Sequence, residues 1–257
     1  MAAVQRQIRY NRGCAGSLKV KQNFTKGLLK NGQRVYNIID RTSQHFFKAG
    51  DKMNEKFYSL SEEKQQKIIN AGFRVFSQNS YKKSPMNEIS DLAGISKSLL
   101  FHYFHNKREL YLFLWDKACK ITMEYLTKYG CYEPTDLFEM MERGMRAKIC
   151  MMTKYRSMTA FVIKAFYEKA PEVNSAIRNS YQKYFDVKAQ DALARVDPND
   201  FIEGLDLKMM YREMYLASEG YLWEIFQWDG ELDVEKLEKD FEDMLSFWKK
   251  IYLKKGE

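Results

Sequence analysis

A set of polar and basic side chains follows a glycine-containing turn near residue 94. Lys97, Ser98 and His102 are predicted to share one side of a short helix, and Tyr103 and Lys107 come soon after. Ammonium, hydroxyl and imidazole groups make hydrogen bonds to phosphate oxygens and to the edges of DNA bases. The chemistry that this segment predicts is therefore the binding of nucleic acid, without a covalent step.

The sequence offers little support for catalysis or for a metal site. His102 and His105 stand three residues apart, which suits a pair of metal ligands, but no carboxylate–thiolate cluster accompanies them. The four cysteines, at positions 14, 119, 131 and 150, match no zinc-binding spacing. A carboxylate pair, a nucleophile with its base and a phosphate-binding loop are also lacking. We therefore expect no metal, no cofactor and no enzymatic activity; a helical enzyme that merely contains a DNA-binding motif is the alternative.

The composition limits the class of protein. With 257 residues, 45% hydrophobic and 30% charged, the chain is typical of a soluble globular protein of one large or two small domains. No apolar run approaches the roughly 18 to 20 residues of a membrane helix, and no secretory signal is evident. We expect a cytoplasmic protein with free thiols and no membrane contact.

The net positive charge of the chain comes from its first 52 residues. Residues 1–52 hold eleven Lys and Arg and two Asp, a net charge of +9, and the remainder has a net charge of −1. This segment has no sustained helical or strand periodicity. It is a basic DNA-binding arm, a transit-like leader, or a translated region upstream of a true start at Met53. We favour the last and predict that residues 1–52 are a non-native or disordered basic leader.

Three short helices are predicted in the 45 residues after Ser59. The first carries an apolar face from Ile68 to Phe76, the second starts after Ser84-Pro85, and the third spans Lys97–Tyr103 with Ser96 as its N-cap. Gly94 permits the tight turn between the last two helices. This order is typical of a helix-turn-helix.

Longer helices are predicted over the rest of the chain. The first begins at Lys107, and others cover about 136–152, 155–168, 171–195, 204–228 and 234–253, with no convincing strand pattern. We therefore predict an all-α fold. Its last helix has an apolar seam at 3,4 spacing, which favours a coiled-coil-like contact. The seam residues, predicted as a dimer interface, are Val234, Leu237, Phe241, Met244, Trp248 and Ile251.

The segment from Ile68 to Leu110 resembles the tetracycline-repressor (TetR/AcrR) family of regulators. The resemblance rests on the run from Ala93 to Leu110, AGISKSLLFHYFHNKREL, together with Ala71, Phe76 and Ser84 upstream. It implies a DNA-binding domain over residues 53–107 and a larger helical domain for effector binding and dimerisation over residues 108–257. It also implies a set of DNA contacts: Ser84, Ser96, Lys97, Ser98, Phe101, His102, Tyr103 and Lys107.

The chain departs from the family pattern at two positions in this run. Leu99 stands where the family often has a small hydroxyl residue, and Phe101 stands where it often has tyrosine. Two possible phosphate hydrogen bonds are lost, although Phe101 can still contact a thymine methyl group.

The family resemblance implies an effector pocket in the second domain. Methionine and aromatic side chains, which line adaptable apolar pockets, are frequent there, and any one of them can equally be plain core. The candidate pocket residues are Met141, Met145, Phe161, Tyr181, Met210 and Met214. The implied protein is a ligand-responsive repressor that binds a palindromic operator in double-stranded DNA as a homodimer. Its effector would be an apolar or amphipathic small molecule; control by a protein partner is the alternative.

Overall fold

The computed structural model describes residues 51–228 and 233–254, with side chains from residue 55 to 225 and from 233 to 254. These ranges contain ten α-helices and no β-strand beyond one isolated bridge, between Phe201 and Leu253, so the all-α prediction is confirmed. The leader proposed for residues 1–52 lies outside the described residues except at its last two positions. The helices are α1 Asp51–Tyr58, α2 Glu62–Gln78, α3 Met86–Ala93, α4 Lys97–Tyr103, α5 Lys107–Lys128, α6 Leu137–Lys154, α7 Arg156–Tyr167, α8 Pro171–Leu193, α9 Leu207–Trp228 and α10 Val234–Tyr252.

The turn between α3 and α4 is built as the sequence predicts. Gly94 adopts φ +69°, in the left-handed region that glycine enters without steric cost, and its N–H closes α3 by donating to the carbonyls of Ser90 and Asp91. Two residues later, the Ser96 hydroxyl accepts from the N–H of Leu99 and caps α4. The turn and cap therefore fix where the short helix begins.

An aromatic cluster holds α4 against α1 and α5. Phe57 of α1 is fully buried, and its ring centroid lies 5.2 Å from that of Phe104 and 5.1 Å from that of Phe113. Leu100, on the inner side of α4, is also fully buried. Burying side chains of this size stabilises the fold by about 1.5 to 3 kcal/mol each. This packing fixes which side of α4 faces outward.

Helices α5 to α10 form the rest of the molecule. Helix α7 packs along α2 on one side and against α8 on the other, while α10 packs on α6. Two backbone hydrogen bonds join the segment between α8 and α9 to the end of α10. They run from Ile202 to Tyr252 and from Lys254 to Asp200, and each is 3.0 Å long. No helix in the described ranges is both long and apolar enough to cross a bilayer.

Candidate DNA-binding surface and effector cavity

The outer side of α4 presents a small polar surface. Ser96, Lys97, Ser98 and His102 are all exposed, and the Ser96 and Ser98 hydroxyls lie 3.0 Å apart. The Lys97 ammonium stands 6.0 Å from the centroid of the half-buried Phe101 ring, which extends the surface on its apolar side. The five residues form one continuous donor-rich patch, which we call the α4 surface.

Tyr103 lies on the other side of α4. Only 7% of the residue is exposed, and its ring packs edge-on against Phe57 with centroids 6.2 Å apart. Any contact of Tyr103 with a phosphate therefore depends on its hydroxyl alone, because the ring belongs to the core.

The structure corrects the expectations for Ser84 and Lys107. Ser84 is buried, and its hydroxyl donates to the Ser80 carbonyl, so it neither caps α3, which starts at Met86, nor presents its side chain to DNA. The Lys107 ammonium donates to the carbonyls of Lys82, at 3.1 Å, and Ser84, at 3.0 Å. Its charge is therefore engaged within the protein, where it holds the turn before α3.

That turn supplies two cations that the sequence reasoning did not single out. Lys82 and Lys83 are both exposed, immediately before α3 and next to the carbonyls that Lys107 binds. The sequence signal for these two cations was a pair of adjacent lysines before a helix start. Such a pair, taken alone, is typical of any solvent-exposed turn.

The second half of the molecule contains two adjacent cavities, which we call lobes because they share part of their walls. The lobes have volumes of about 80 Å³ and about 100 Å³ and share Lys148, Lys188, Tyr215 and Leu222 in their walls. Methionine, leucine and aromatic side chains form most of the remaining wall. The first lobe is also lined by Leu126, Cys131, Tyr132, Leu137, Met140, Met141, Gly144, Met145, Ala192, Tyr211, Ser218 and Phe241, and the second by Trp115, Ala118, Cys119, Thr122, Met151, Met152, Thr159, Val162, Ile163, Tyr181, Tyr184 and Glu219. We call the two lobes together the effector cavity.

Lys188 is the most unusual group in the effector cavity. It is only 5% exposed, and its Nζ lies 4.7 Å from the centroid of the Tyr184 ring and 5.2 Å from that of Tyr215. Burial lowers the pKa of this lysine to about 7; the neighbouring Lys148 lowers it further, and Glu219 opposes the shift. Lys188 therefore titrates near neutral pH.

Two tyrosine hydroxyls are buried in the second lobe, and that of Tyr184 has no hydrogen-bond partner among the described residues. The hydroxyls of Tyr181 and Tyr184 are buried and make no hydrogen bond of normal geometry with any described residue. Burial raises the pKa of the Tyr181 and Tyr215 phenols, and each phenol also affects the pKa of the other. Buried hydroxyls without partners are uncommon because leaving one unsatisfied costs about 1 to 3 kcal/mol.

The predicted pocket residues divide into two groups. Met141 and Met145 line the first lobe, and Tyr181 lines the second. The other three, Phe161, Met210 and Met214, are buried but belong to neither wall.

Phe161 instead joins the two halves of the molecule. Its ring centroid lies 5.5 Å from that of Phe73, 6.1 Å from that of Phe76 and 5.0 Å from that of Tyr111. Since Phe73 and Phe76 belong to α2, Phe161 packs α7 against the first half of the chain.

The α10 seam is largely used within its own subunit. Leu237, Phe241 and Trp248 are between 0% and 4% exposed in the single chain, so they cannot form the partner contact predicted for them. Of the six seam residues Ile251 is exposed at 39%, while Val234 and Met244 are half-buried. The apolar stripe is real, but α6 covers most of it.

A different side of α9 and α10 is apolar and open. Met209 and Leu216 on α9 are 61% and 51% exposed, and Phe247 on α10 is 59% exposed. The helices are joined by hydrogen bonds from the Tyr252 hydroxyl to Glu213, at 3.1 Å, and from Tyr221 to Asp240. We call Met209, Leu216, Phe247 and Ile251 the α9–α10 patch.

Residues 68–113 match the family described as bacterial regulatory proteins of the tetR family. These residues therefore carry a TetR-type helix-turn-helix segment. The chain is 39% identical over 51 residues to the HTH-type transcriptional activator FasR of Mycolicibacterium smegmatis, a match that spans 20% of this chain and 23% of that relative. The match thus covers well under two thirds of that relative's length.

The likeness in fold extends beyond the TetR-type segment. A TetR-family regulator from Chloroflexus aurantiacus aligns with 78% of this chain and 98% of its own, with a TM-score of 0.55 and 20% identity. FadR of Bacillus subtilis, solved in complex with stearoyl-CoA, aligns with 71% of this chain and 96% of its own, with a TM-score of 0.57 and 15% identity. The chain therefore shares the fold of these regulators over most of its described length.

Proposed function

We propose that this protein is a ligand-responsive transcriptional repressor that binds a palindromic operator as a homodimer. The observation that carries the proposal is the α4 surface, a donor-rich helix side held outward by a buried aromatic cluster. A helix of this kind reads base edges in the major groove, while cations beside it contact phosphates. Lys82 and Lys83, exposed in the turn before α3, are the proposed phosphate contacts. In a bacterium the site of action would be the cytoplasm.

The α9–α10 patch is the proposed dimer interface. Its four apolar side chains lie on two long helices that hydrogen bonds hold side by side, so they offer a wide, rigid surface. At 1.5 Å per residue these helices are about 33 Å and 28 Å long, enough for the extended contact of a stable dimer. A twofold axis through this patch would give two copies of α4, which must stand about 34 to 36 Å apart to enter successive major grooves.

Helix α7 is the proposed route between ligand and DNA. Thr159, Val162 and Ile163 line the second lobe, while Phe161 packs on α2. Just beyond the end of α7, a Glu168 carboxylate oxygen accepts from the backbone N–H of Tyr81, at 2.7 Å, in the turn before α3. A ligand that displaces α7 would therefore move the DNA-binding half. Coupling of about 1 to 3 kcal/mol would change operator affinity by roughly 5- to 150-fold.

The effector cavity is the proposed ligand site. Its apolar walls and few polar groups are typical of small-molecule pockets, and the FadR of similar fold was solved with an acyl-CoA. Bound ligand would favour a spacing of the two α4 helices that no longer fits the operator, and transcription would resume.

The test is selection of bound sequences from random duplex DNA with the full chain, followed by anisotropy titration at about 150 mM salt. We expect a palindrome whose half-sites are one helical turn apart. The double variant Lys97→Ala, His102→Ala should lose at least about 30-fold in affinity for it, because two base contacts of about 1 to 3 kcal/mol each amount to at least about 2 kcal/mol. Lys183→Ala, exposed on α8, is the matched control and should bind normally.

The ratio of specific to non-specific affinity decides the outcome. Residues 1–52 carry a net +9 charge, which binds any duplex electrostatically, so affinity alone does not test the proposal. Enrichment of no sequence, or an unchanged ratio in the double variant, would show that the α4 surface does not read DNA.

A further inference from the structure

We propose that the effector cavity binds a small apolar monocarboxylic acid, with its carboxylate paired to the Lys188 ammonium and its hydrocarbon part in the two lobes. The inference rests on the proposed function, since it names the ligand class of the same cavity.

Lys188 is placed as a receptor for an anion. It reaches the wall of both lobes from α8, yet within the described ranges no carboxylate stands within ion-pair distance and no hydrogen bond engages its ammonium. Its described contacts are the faces of the Tyr184 and Tyr215 rings. A buried cation left with rings alone is costly, and an anion from outside would remove most of that cost.

The charges in the walls fix the charge of the ligand. The charged lining residues are Lys148, Lys188 and Glu219, and the first and last already form an ion pair of 3.2 Å. When Lys188 is protonated it is therefore one positive charge in excess, and a bound anion would favour that protonated form. A single carboxylate neutralises it, whereas a phosphate ester, with a charge of about −1.5 to −2 at neutral pH, would leave a buried negative surplus.

The buried hydroxyls of Tyr181 and Tyr184, of which only Tyr184 lacks any partner, complete the site for an oxygen acid. The Tyr181 and Tyr184 side chains project from α8 into the second lobe, as Lys188 does. A carboxylate has about four acceptor positions, so it can accept from the ammonium and from these phenols at once. A neutral apolar ligand would leave the Lys188 ammonium and the Tyr184 hydroxyl unsatisfied.

The size of the cavity limits the hydrocarbon part. The lobes of about 80 Å³ and 100 Å³ are each smaller than the engineered cavity of about 150 Å³ that admits benzene. A short alkyl chain or one aromatic ring suits them, and flexible methionines allow a modest increase. A long acyl chain does not fit this conformation.

The experiment compares acids with matched neutral amides on the full chain. Isothermal titration would use butanoate, hexanoate, octanoate and phenylacetate, the corresponding amides, and octanoyl-CoA. We expect at least one acid to bind at least 10-fold more tightly than its amide. Lys188→Met should lose at least 10-fold for that acid and little for the amide, Lys188→Arg should retain much of the affinity, and the exposed Lys183→Met should behave as wild type.

Several outcomes would overturn the inference. They are equal binding of acid and amide to the wild type, unchanged acid binding by Lys188→Met, binding of octanoyl-CoA alone, or binding of no acid in the series. The comparison of acid with amide uses the wild-type protein. It therefore tests the inference even if the Lys188→Met variant does not fold. Selection of an operator is measured separately: an operator without acid binding refutes this inference alone, and acid binding without an operator refutes the proposed function alone.

Discussion

Replacing Lys188 by methionine should make the ligand-free protein more stable at neutral pH. The ordinary lysine pKa of 10.5 and the value of about 7 in the folded chain differ enough to correspond to about 4 to 5 kcal/mol, at about 1.36 kcal/mol per pH unit. The two ring contacts favour the charged form by about 0.5 to 1 kcal/mol each and reduce this cost. We expect a net gain of about 3 kcal/mol for Lys188→Met at pH 7.

The gain should depend on pH in a defined direction. Between about pH 7 and 10.5 the unfolded chain holds a proton at Lys188 that the folded chain has released, so the wild type gains stability as pH rises through this window. The methionine variant lacks this pH-dependent gain in stability, because it has no ammonium group at position 188. Its advantage should therefore be full at pH 7 and below, and about 1 kcal/mol or less at pH 10. The titratable groups around Lys188 are common to both proteins and cancel in the comparison: Lys148, Glu219, Cys119, Cys131, Tyr184 and Tyr215.

Urea denaturation followed by tryptophan fluorescence at matched protein concentration measures both quantities. Lys183→Met, on the exposed side of the same helix, controls for the change of side chain. A loss of stability in Lys188→Met at pH 7, or a gain that is the same at pH 7 and pH 10, would refute the assignment of a buried, easily deprotonated lysine.

Further predictions concern the other surfaces. Lys83→Ala should reduce the slope of log affinity against log salt by about 0.9, as loss of one phosphate contact requires, with unfolding unchanged. Lys107→Met should weaken DNA binding with little change in slope and lower the free energy of unfolding by about 1 to 2 kcal/mol, because its ammonium binds backbone carbonyls. Phe247→Asp should give a folded monomer in sedimentation, whereas Trp248→Ala should cost about 3 to 5 kcal/mol of stability. Phe161→Ala should cost a similar amount in urea denaturation, because it leaves a cavity between α7 and α2.

Each of these has a contrary outcome. A reduced slope for Lys107→Met would mean that its ammonium leaves the turn for a phosphate. A dimer that survives Phe247→Asp would place the interface away from the α9–α10 patch. A Phe161→Ala protein as stable as the wild type would remove the proposed contact between α7 and the first half of the chain.

The helix-turn-helix was predicted in detail because its signals are local. Ser96 and Gly94 act through backbone hydrogen bonds and φ angles within a few residues, so the sequence alone indicated α4 at Lys97–Tyr103, the bounds the structure has. Helix α1 was missed because it begins in the segment interpreted as a leader, and its anchor Phe57 acts only through distant partners.

The lining of the cavity and the burial of the α10 seam could not be predicted from the sequence, because both depend on tertiary packing. The 3,4 spacing of α10 identifies an apolar stripe, but it does not reveal that Leu237 and Trp248 are buried within the same chain, where α10 packs on α6. Lys188 lies on an apolar side of α8, between Phe185 and Ala192, which was a usable signal. Periodicity cannot distinguish such a lysine at a cavity from one that extends to solvent.

Helix α7 lines the second lobe with Thr159, Val162 and Ile163 and packs on α2 through Phe161, so in the proposed regulator it would contact both the ligand and the DNA-binding half. A substitution there that reshapes the cavity also disturbs the baseline affinity for the operator. Altered effector preference should therefore arise more readily, in natural divergence or in laboratory selection of biosensors, from α5, α8 and α9. Libraries that spare α7 should yield more variants that remain inducible.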